Sequence, residues 1–376
     1  MVGAGCAGAV AAWRLAQAGL APVLIDKDLT PGASAACGGV MLHALYRRLE
    51  LPPELIDGEV NSLRLFSGDR CDRLEFRRPV FINFDRCRFD GFLAERAVDT
   101  GAQLYSGCRV TSWDPETGEL SWGRAGATES ELFDQVVFAD GVNTVGRVAG
   151  IGIDGDTPMA SAMYRELVTE DERSHEVDFV LDLEDEDPGY FWVFPKHGLV
   201  QVGVGRFHGE RREPLRRLLD RFIEDRAELK ALECARTRGG GIPFAVARRL
   251  GRPGGLVIGD AAGLVNPITG GGLVYAEASA EMAARAIVES AAKGWERGWA
   301  AARYRRLMVR SVHYWWLKSL GLVFRRIRRQ VALGKRTDFK RLFLFYAFVL
   351  PRLTPAASSI TLAMREPRPV RRSMRS

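Results

Sequence analysis

The sequence predicts an α/β protein, α+β overall, built from a Rossmann-like domain, an inserted antiparallel-sheet domain and a helical C-terminal region. Three observations predict this architecture. Residues 2–28 read as a strand end, a glycine turn, a helix and a second strand, which together form a βαβ unit. Between residues 160 and 206 one short strand pattern follows another, as in an antiparallel sheet. Residues 255–272 then return to a buried strand and a glycine-rich turn.

The individual elements follow from hydrophobic periodicity. The pattern in the first domain predicts strands at 22–25, 103–110 and 135–140, and helices at 88–99 and 273–292. The pattern in the inserted domain predicts strands at 163–168, 177–183, 190–194 and 200–204, and a helix at 213–231. The expected boundaries are 1–50, 84–155 and 240–295 for the first domain, 51–83 and 156–239 for the inserted domain, and 296–376 for the C-terminal region.

The composition is that of a globular protein without metal sites. The 376 residues are 47% hydrophobic and 27% charged, enough to build two packed domains. The sequence shows neither an apolar run of bilayer length nor a signal-peptide pattern, so it predicts a cytoplasmic protein. The cysteines lack Cys-x-x-Cys spacing, which argues against zinc, an iron–sulfur cluster or a disulfide framework. They are Cys6, Cys37, Cys71, Cys87, Cys108 and Cys234.

A glycine motif at the N-terminus predicts a dinucleotide site. Gly3-x-Gly5-x-x-Gly8 follows a strand end and opens a helix, and Asp26 ends the next strand. Gly3 permits the tight turn, Gly5 lets the backbone approach a pyrophosphate at the helix N-terminus, and Gly8 lets helix and strand pack closely. Asp26 is the expected acceptor for ribose hydroxyls. Ala7 in the turn and Lys27 beside the acid are assigned to the same site.

The first strand of this unit is unusually short. Such a strand normally has about five residues, and here only Met1 and Val2 precede Gly3. We therefore expect that the native chain starts upstream of Met1 or that most of this strand is missing. A chain that starts at Met1 is expected to bind its cofactor weakly.

Two later motifs indicate which dinucleotide binds. Asp140-Gly141 follows one strand pattern and Gly259-Asp260 follows another. This pair resembles the Asp-Gly and Gly-Asp motifs of the para-hydroxybenzoate hydroxylase-like flavoproteins, and the resemblance implies FAD. Asp260 would then bind the ribityl chain, and backbone amides of the next turn would face the isoalloxazine and stabilise its reduced, anionic form. That turn contains Gly270, Gly271 and Gly272.

The same resemblance extends to two further positions. Arg86-x-x-Phe89-Asp90 resembles the superfamily motif whose arginine lies near the linker of the flavin cofactor. Val110 would offer its backbone to the adenine. An ordinary surface arginine remains an alternative interpretation of Arg86.

Two elements narrow the family. Tyr190-x-Trp192-x-Phe194-Pro195 resembles the YxWxFP motif of the geranylgeranyl reductases, FAD-dependent prenyl reductases that include the digeranylgeranylglycerophospholipid reductases. Cys37-Gly38-Gly39 resembles the Cys-Gly-Gly element of that family. The flavin and family motifs together span residues 3–276.

The resemblance implies the saturation of isolated carbon–carbon double bonds in a prenyl chain. Alternate residues of a strand share a face, so Tyr190, Trp192, Phe194 and Pro195 are assigned to a wall for an apolar substrate. The rings of Tyr190 and Trp192 would stabilise positive charge on the alkene. Cys37 is the candidate for shaping the site or delivering a proton, besides contacting the cofactor with Gly38 and Gly39. Plain core packing is the competing interpretation for the aromatic residues, as it is for the cysteine.

Other functions of the same fold stay open at this point. Halogenases carry a WxWxIP element that residues 190–195 partly match, and flavin monooxygenases share the fold. A non-catalytic membrane-bound flavoprotein is a second alternative. The sequence does not choose between NADPH and ferredoxin as electron donor.

The C-terminal region differs sharply in charge. The chain has a net charge of +6, and residues 303–376 hold 19 Lys or Arg and two acids. Apolar residues fall near helical spacing between 304 and 331, and a short apolar run follows at 342–350. Such a region is typical of binding to an anionic membrane surface. We therefore expect peripheral attachment to the inner face of the cell membrane and no nucleic-acid partner. A helix that caps the core and a basic arm for nucleic acid are the alternatives.

Overall fold

A computed structural model describes residues 1–68, 70–124, 126–170, 176–181, 189–207, 213–294, 296 and 298–332. The apolar run at 342–350 and most of the basic C-terminal region lie outside the described residues. Among the helices described, none is both long and apolar enough to cross a lipid bilayer.

The helices and strands largely match the predicted elements. The helices are α1 (Cys6–Gln17), α2 (His43–Arg48), α3 (Arg86–Asp99), α4 (Leu215–Glu224), α5 (Ala227–Lys230), α6 (Leu273–Ala291), α7 (Trp299–Arg310) and α8 (Val312–Ala332). The strands are β1 (Val23–Asp26), β2 (Val40–Leu42), β3 (Gly58–Val60), β4 (Ser62–Ser67), β5 (Arg70–Glu75), β6 (Phe81–Asn83), β7 (Gln103–Ser106), β8 (Arg109–Trp113), β9 (Glu119–Arg124), β10 (Ala127–Leu132), β11 (Val136–Phe138), β12 (Met159–Val168), β13 (Glu176–Val180), β14 (Gly189–Lys196), β15 (Leu199–Phe207), β16 (Cys234–Pro243), β17 (Gly251–Arg252) and β18 (Gly255–Val257).

The chain forms two compact units, and the first comprises residues 1–35, 86–158 and 242–324. Its central sheet is parallel, with β1 beside β7 and β11 beside β18. Val2 joins these pairs through parallel bridges to Ile25 and Phe138. Helix α1 packs against α3 and α6, and its many small residues are buried, which permits close helix packing.

The end of the first unit corrects the predicted boundary at residue 296. Tyr304 of α7 is fully buried, and its hydroxyl donates a 3.0 Å hydrogen bond to the carbonyl oxygen of Val257. Met308 is buried one helical turn later. Residues 299–324 therefore belong to the first unit, because α7 and the first part of α8 complete its core.

The second unit contains residues 36–85, residues 159–241 and, among the described residues that follow, 325–332, and it is built on one large sheet. The strand order is β16-β12-β15-β14-β13-β4-β5. From β12 to β5 neighbouring strands are antiparallel, except for the parallel pair β13 and β4. One face of the sheet packs on α4 and α5. Phe191 of β14 stacks on Phe222 of α4 with ring centroids 4.2 Å apart.

The second unit also corrects the boundary predicted at residue 50. Residues 40–42 form β2, which pairs with β6, and β6 pairs with β3. Residues 36–50 therefore belong with the antiparallel sheets and not with the nucleotide-binding unit. The predicted helix at 213–231 is divided into α4 and α5, because Arg226 adopts an extended backbone. Strand β16 was not predicted, since its three consecutive glycines are unfavourable for a strand.

Candidate functional site

The glycine turn of the first unit is shaped by close backbone packing. Gly3 has a φ of +92°, and a Cβ there would stand 2.7 Å from the carbonyl oxygen of Ala139. A Cβ at Gly8 would overlap the carbonyl oxygen of Gly3. By contrast, a Cβ at Gly5 would have no neighbour closer than 3.8 Å, and its space opens toward Arg86. The turn itself therefore requires Gly3 and Gly8, whereas Gly5 leaves room for a ligand.

Helix α1 begins beside a partly buried ion pair. Its N-cap is Gly5, and its first turn, which includes Ala7, holds no acid. Arg86 donates hydrogen bonds of 3.0 and 2.6 Å to Oδ2 of Asp90, which also accepts one from the backbone of Cys6. Arg86 is thus held at the helix N-terminus, where phosphate is favoured. Arg86 is mostly buried in this ion pair, and its predicted contact with the flavin linker stays a prediction.

Asp26 closes the turn from the other side. Its carboxylate accepts hydrogen bonds from the backbone N–H of Ala4, at 2.5 Å, and of Asp28, at 2.8 Å. Each oxygen keeps a lone pair for a ribose hydroxyl. Lys27 donates to the hydroxyl of Ser34 at 2.6 Å, and Val110 is buried in β8. Their predicted contacts with the cofactor remain predictions.

The two later aspartates follow neighbouring parallel strands. Asp140 comes after β11 and Asp260 after β18, so both lie at the carboxyl edge of the sheet, where Rossmann-like folds bind ligands. Oδ2 of Asp140 accepts a 2.7 Å hydrogen bond from the N–H of Val145, whereas its buried Oδ1 has no protein partner among the described residues. Desolvation by burial raises the pKa of Asp140, opposed by that hydrogen bond.

The segment after Asp260 forms a tight turn before α6. The N–H of Gly270 donates to the carbonyl of Asn266, and the N–H of Asn266 donates to the carbonyl of Gly271. Gly272 is the N-cap of α6, and a Cβ there would come within 3.0 Å of Oδ1 of Asp260. The helix N-terminus and the carboxyl group are therefore adjacent, as a flavin site needs.

These features fit a dinucleotide with a pyrophosphate. The site offers an open glycine at a helix N-terminus, an arginine beside it, and a buried carboxylate oxygen without a partner. Residues Gly3, Gly5, Ala7, Gly8, Asp26, Arg86, Asp140, Gly141, Gly259, Asp260, Gly270, Gly271 and Gly272 all belong to the first unit. Cys37, Gly38 and Gly39, which were assigned to the same cofactor, belong to the second unit.

We expect Asp260→Asn to stabilise the apoprotein at neutral pH. Asp260 keeps some exposed surface, yet desolvation raises the pKa of its carboxyl above the ordinary 3.8, opposed by Arg86. The folded chain thus holds the proton more tightly than the unfolded chain. The penalty of an ionised Asp260 is absent below pH 3.8 and grows as the pH rises through the folded pKa. The gain in melting temperature is measured from pH 4 to 8 and should vanish toward pH 4. A gain independent of pH would show that it does not arise from the ionised Asp260 carboxylate.

The second unit carries an aromatic face opposite to the one that packs on α4. Tyr190, Trp192 and Phe194 alternate along β14, and the ring of Phe179 lies 5.6 Å from Tyr190 and 5.3 Å from Phe194 between centroids. Gly203 stands directly across from Trp192 on β15, where any side chain would overlap the indole. This glycine, which the sequence reasoning missed, lets the indole lie flat on the sheet. Tyr190 is half-buried, and burial raises its pKa.

The Cys-Gly-Gly segment lies on the same face. A Cβ at Gly38 would stand 3.1 Å from the ring of Phe194, and one at Gly39, where φ is +66°, would overlap Lys196 and the carbonyl of Phe84. The glycines therefore let the segment pass close to the sheet. Cys37 is half-buried, and its Sγ accepts a 3.4 Å hydrogen bond from the N–H of Gly39. Asn83 donates to the carbonyl of Pro195 at 2.6 Å, which anchors the end of the aromatic motif.

A buried polar cluster beside this segment was not found from the sequence. Oε2 of Glu166, on β12, lies 2.7 Å from Nε and 2.6 Å from Nη2 of Arg236. Oε1 of Glu166 lies 3.9 Å from Nζ of Lys196. Glu166 and Lys196 are 2% and 7% exposed, so their charges depend on each other. Of these three charged residues, only Glu166 falls inside a strand predicted from the sequence, at 163–168.

Several known proteins are similar to this chain in sequence. Residues 1–86 match the family described as FAD dependent oxidoreductase. Digeranylgeranylglycerophospholipid reductase 2 of Methanopyrus kandleri is 32% identical over 317 residues, which cover 77% of this chain and 77% of that protein. The chloroplastic geranylgeranyl diphosphate reductase of Arabidopsis thaliana is 30% identical, covering 78% of this chain and 66% of that protein.

Solved structures show the same fold. A geranylgeranyl bacteriochlorophyll reductase-like protein of Thermoplasma acidophilum superposes with a TM-score of 0.79 at 26% identity, covering 97% of this chain and 94% of that one. The flavin-dependent halogenase CmlS gives a TM-score of 0.69 at 18% identity, covering 96% and 71%, a likeness of fold alone. The fold and the cofactor motifs define an FAD-dependent oxidoreductase. Within that class, the chain belongs to the geranylgeranyl reductase family.

Proposed function

We propose that this protein uses reduced FAD to saturate carbon–carbon double bonds in the isoprenoid chain of a membrane lipid, quinone or pigment. The observation that carries the proposal is the aromatic face of β14, with Trp192 flat on Gly203 and the rings of Tyr190 and Phe194 on either side. Such a face suits a long hydrocarbon substrate that offers no hydrogen bonds. The relatives described above are named as reductases of geranylgeranyl compounds.

Residues of the first unit would bind the cofactor, and residues of the second unit would bind the prenyl chain. Reduced FAD supplies the hydride, and NADPH or ferredoxin would reduce it. The turn at Gly5, Asp26, Arg86, Asp140 and Asp260 would hold the cofactor, and the amides near Gly270 would face its ring. In the second unit, the aromatic rings would bind the prenyl chain and exclude water.

An isolated double bond is unpolarised, so hydride addition to one carbon requires a proton at the other. We propose that Cys37 shapes this site or delivers that proton. Its neighbour Gly38 packs closely against the ring of Phe194. The faces of Tyr190 and Trp192 would stabilise the positive charge that develops on the tertiary carbon, a contribution of about 1–2 kcal/mol in a desolvated site.

The decisive experiment uses the flavin-loaded protein. The protein is reduced with dithionite under anaerobic conditions and mixed with geranylgeranylated phospholipid, quinone or free diphosphate. Mass spectrometry is expected to show a gain of two hydrogen masses per reduced bond in at least one of them. No gain in any of them would refute the proposal. Substrate-dependent oxygen consumption with NADPH would instead support a monooxygenase or halogenase.

Trp192→Ala is expected to lower turnover with flavin binding retained. The substitution removes the centre of the aromatic face, so kcat should fall at least about tenfold through lost stabilisation of the developing charge. Flavin content, measured by absorbance after gel filtration, should stay at one per chain because Trp192 is not among the residues assigned to the cofactor. A variant with native turnover would show that the aromatic face only packs the core.

We also propose that the outer face of α8 docks on an anionic lipid bilayer, from which a prenyl substrate would enter. The inner face of α8 buries Leu317, Leu320 and Phe324. The outer face exposes three large apolar residues, Val312, Trp315 and Leu322, by 44%, 58% and 61%. Exposed basic residues lie nearby at Arg310, Arg325 and Arg326. This pairing of apolar and basic residues is typical of an interfacial helix.

The double variant Trp315→Ser with Leu322→Ser is expected to weaken binding to phosphatidylglycerol vesicles at least about tenfold, since each side chain buries apolar area in the interface. Vesicle co-sedimentation at low and high salt measures this, and salt should weaken the native protein's binding. Leu132→Ser provides the matched control, because Leu132 is 68% exposed but lies on β10 in the same unit. Equal binding by all three proteins would exclude this docking face.

A further inference from the structure

One buried amide lies between the two functional elements of the second unit. Gln201 is fully buried on β15, on the sheet face that carries the aromatic residues. The strand register places it opposite Phe194 of β14 and opposite Glu166 of β12. It is therefore at the boundary between the aromatic face and the polar cluster.

Both ends of this amide are used. Oε1 of Gln201 accepts a 3.1 Å hydrogen bond from Nε1 of Trp192, and Nε2 donates a 3.0 Å hydrogen bond to the carbonyl oxygen of Cys37. Nε2 also lies 3.5 Å from Oε1 of Glu166. Gln201 thus contacts both Trp192, which is predicted to stabilise charge, and Cys37, which is predicted to shape the site or deliver a proton. These two residues are 155 positions apart in the chain.

Gln201 restricts the orientation of both elements. The indole of Trp192 rests on Gly203, which offers no side chain to limit its rotation. The Cys37 segment contains two glycines and is held from the sheet face by side chains: the N–H of Cys37 donates to the hydroxyl of Tyr164, and its carbonyl accepts from Gln201. Loss of the Gln201 amide would leave two buried polar groups without their partner, and the structure would loosen to solvate them.

We propose that Gln201 is a positioning residue that holds the indole of Trp192 and the backbone of Cys37 in one fixed arrangement. This inference rests on the proposed function for its effect on turnover. The orientation of Trp192 and Cys37 that Gln201 maintains concerns the second unit alone and can be measured without a substrate. Gln201 touches neither the cofactor nor the prenyl chain in this proposal, and acts through the two residues that it holds.

The test compares Gln201→Met with Val202→Ala. Methionine has nearly the same volume as glutamine but cannot donate to Cys37. Val202 is the next residue of β15 and is fully buried on the opposite face, so its truncation lowers stability without touching either element. Both variants are made in the full chain with Cys71, Cys87 and Cys234 replaced by serine, which leaves Cys37 as the accessible thiol among the described cysteines. Melting temperatures of both variants are measured first.

Two readouts need no substrate. The alkylation rate of Cys37 by iodoacetamide should rise about tenfold in Gln201→Met, as expected for one broken buried hydrogen bond. In protein labelled with 5-fluorotryptophan, the fluorine resonance that disappears in Trp192→Phe belongs to Trp192. That resonance should shift and broaden in Gln201→Met. Val202→Ala should leave the rate and the resonance at native values despite its lower melting temperature.

The third readout is turnover of the flavin-loaded enzyme, where Gln201→Met should lower kcat about tenfold with KM changed less than twofold. Native alkylation and an unmoved resonance in Gln201→Met would overturn the proposal, as would the same changes in Val202→Ala. If the unmodified enzyme reduces no prenyl substrate, the proposed function fails, while alkylation and the fluorine spectrum still decide the role of Gln201.

Discussion

Gly8→Ala is expected to destabilise the first unit by about 3 kcal/mol or more and to abolish flavin binding. The added Cβ would overlap the carbonyl oxygen of Gly3 and stand 3.3 Å from the Cβ of Ala139. Because the main obstacle is backbone, rotamer changes cannot relieve it, and α1 must move off the sheet. Urea unfolding of the apoprotein measures the loss of stability, and titration with FAD, followed by flavin fluorescence, measures binding.

Gly5→Ala is the matched control within the same motif. Gly5 has a φ of −68°, which alanine adopts freely, and the nearest atoms to an added Cβ lie 3.8 and 3.9 Å away. The stability of the apoprotein should therefore change by less than about 0.5 kcal/mol, while the Kd for FAD rises at least about tenfold because the methyl group occupies the space kept for the pyrophosphate. Similar losses of stability in both variants would contradict the division of roles between the glycines.

Glu166→Leu is expected to destabilise the second unit by about 3–5 kcal/mol. The substitution leaves the buried ammonium of Lys196 without its carboxylate, and an unpaired buried charge is far more costly than the pair is favourable. Arg236 is less affected, since its side chain is 38% exposed and water can solvate it. Chemical unfolding with the slope held constant measures the change.

Two further variants separate charge from packing. Adding Lys196→Met to Glu166→Leu removes the stranded charge, so the double variant should be more stable than Glu166→Leu alone. Arg165→Met removes a partly exposed ion pair between β12 and Asp220 of α4 and should cost less than Glu166→Leu. A double variant with the summed loss of its two single variants would show that Glu166 acts through packing and not through its charge.

The sequence by itself determined the features that depend on neighbouring residues. The turn at Gly3 and Gly8, the helix that follows and the strand ending at Asp26 are set within 26 residues by backbone sterics, so their pattern is readable in one dimension. The strands that end before Asp140 and Asp260 are continuous apolar runs, which identify buried parallel strands. The class of the fold follows from these local patterns, and the resemblance of the two aspartate motifs to flavoproteins implied FAD. Comparison with known proteins confirmed both.

Only the tertiary structure decided which distant residues meet. Glu166, Lys196, Gln201 and Arg236 come from four strands, and their contact depends on strand order and register, which the hydrophobic pattern leaves open. The same applies to residues 36–50, whose pairing with β6 placed Cys37 in the second unit. The apolar residues of α7 and α8 were divided between core and surface only by packing, since periodicity defines a face but not the surface that it contacts.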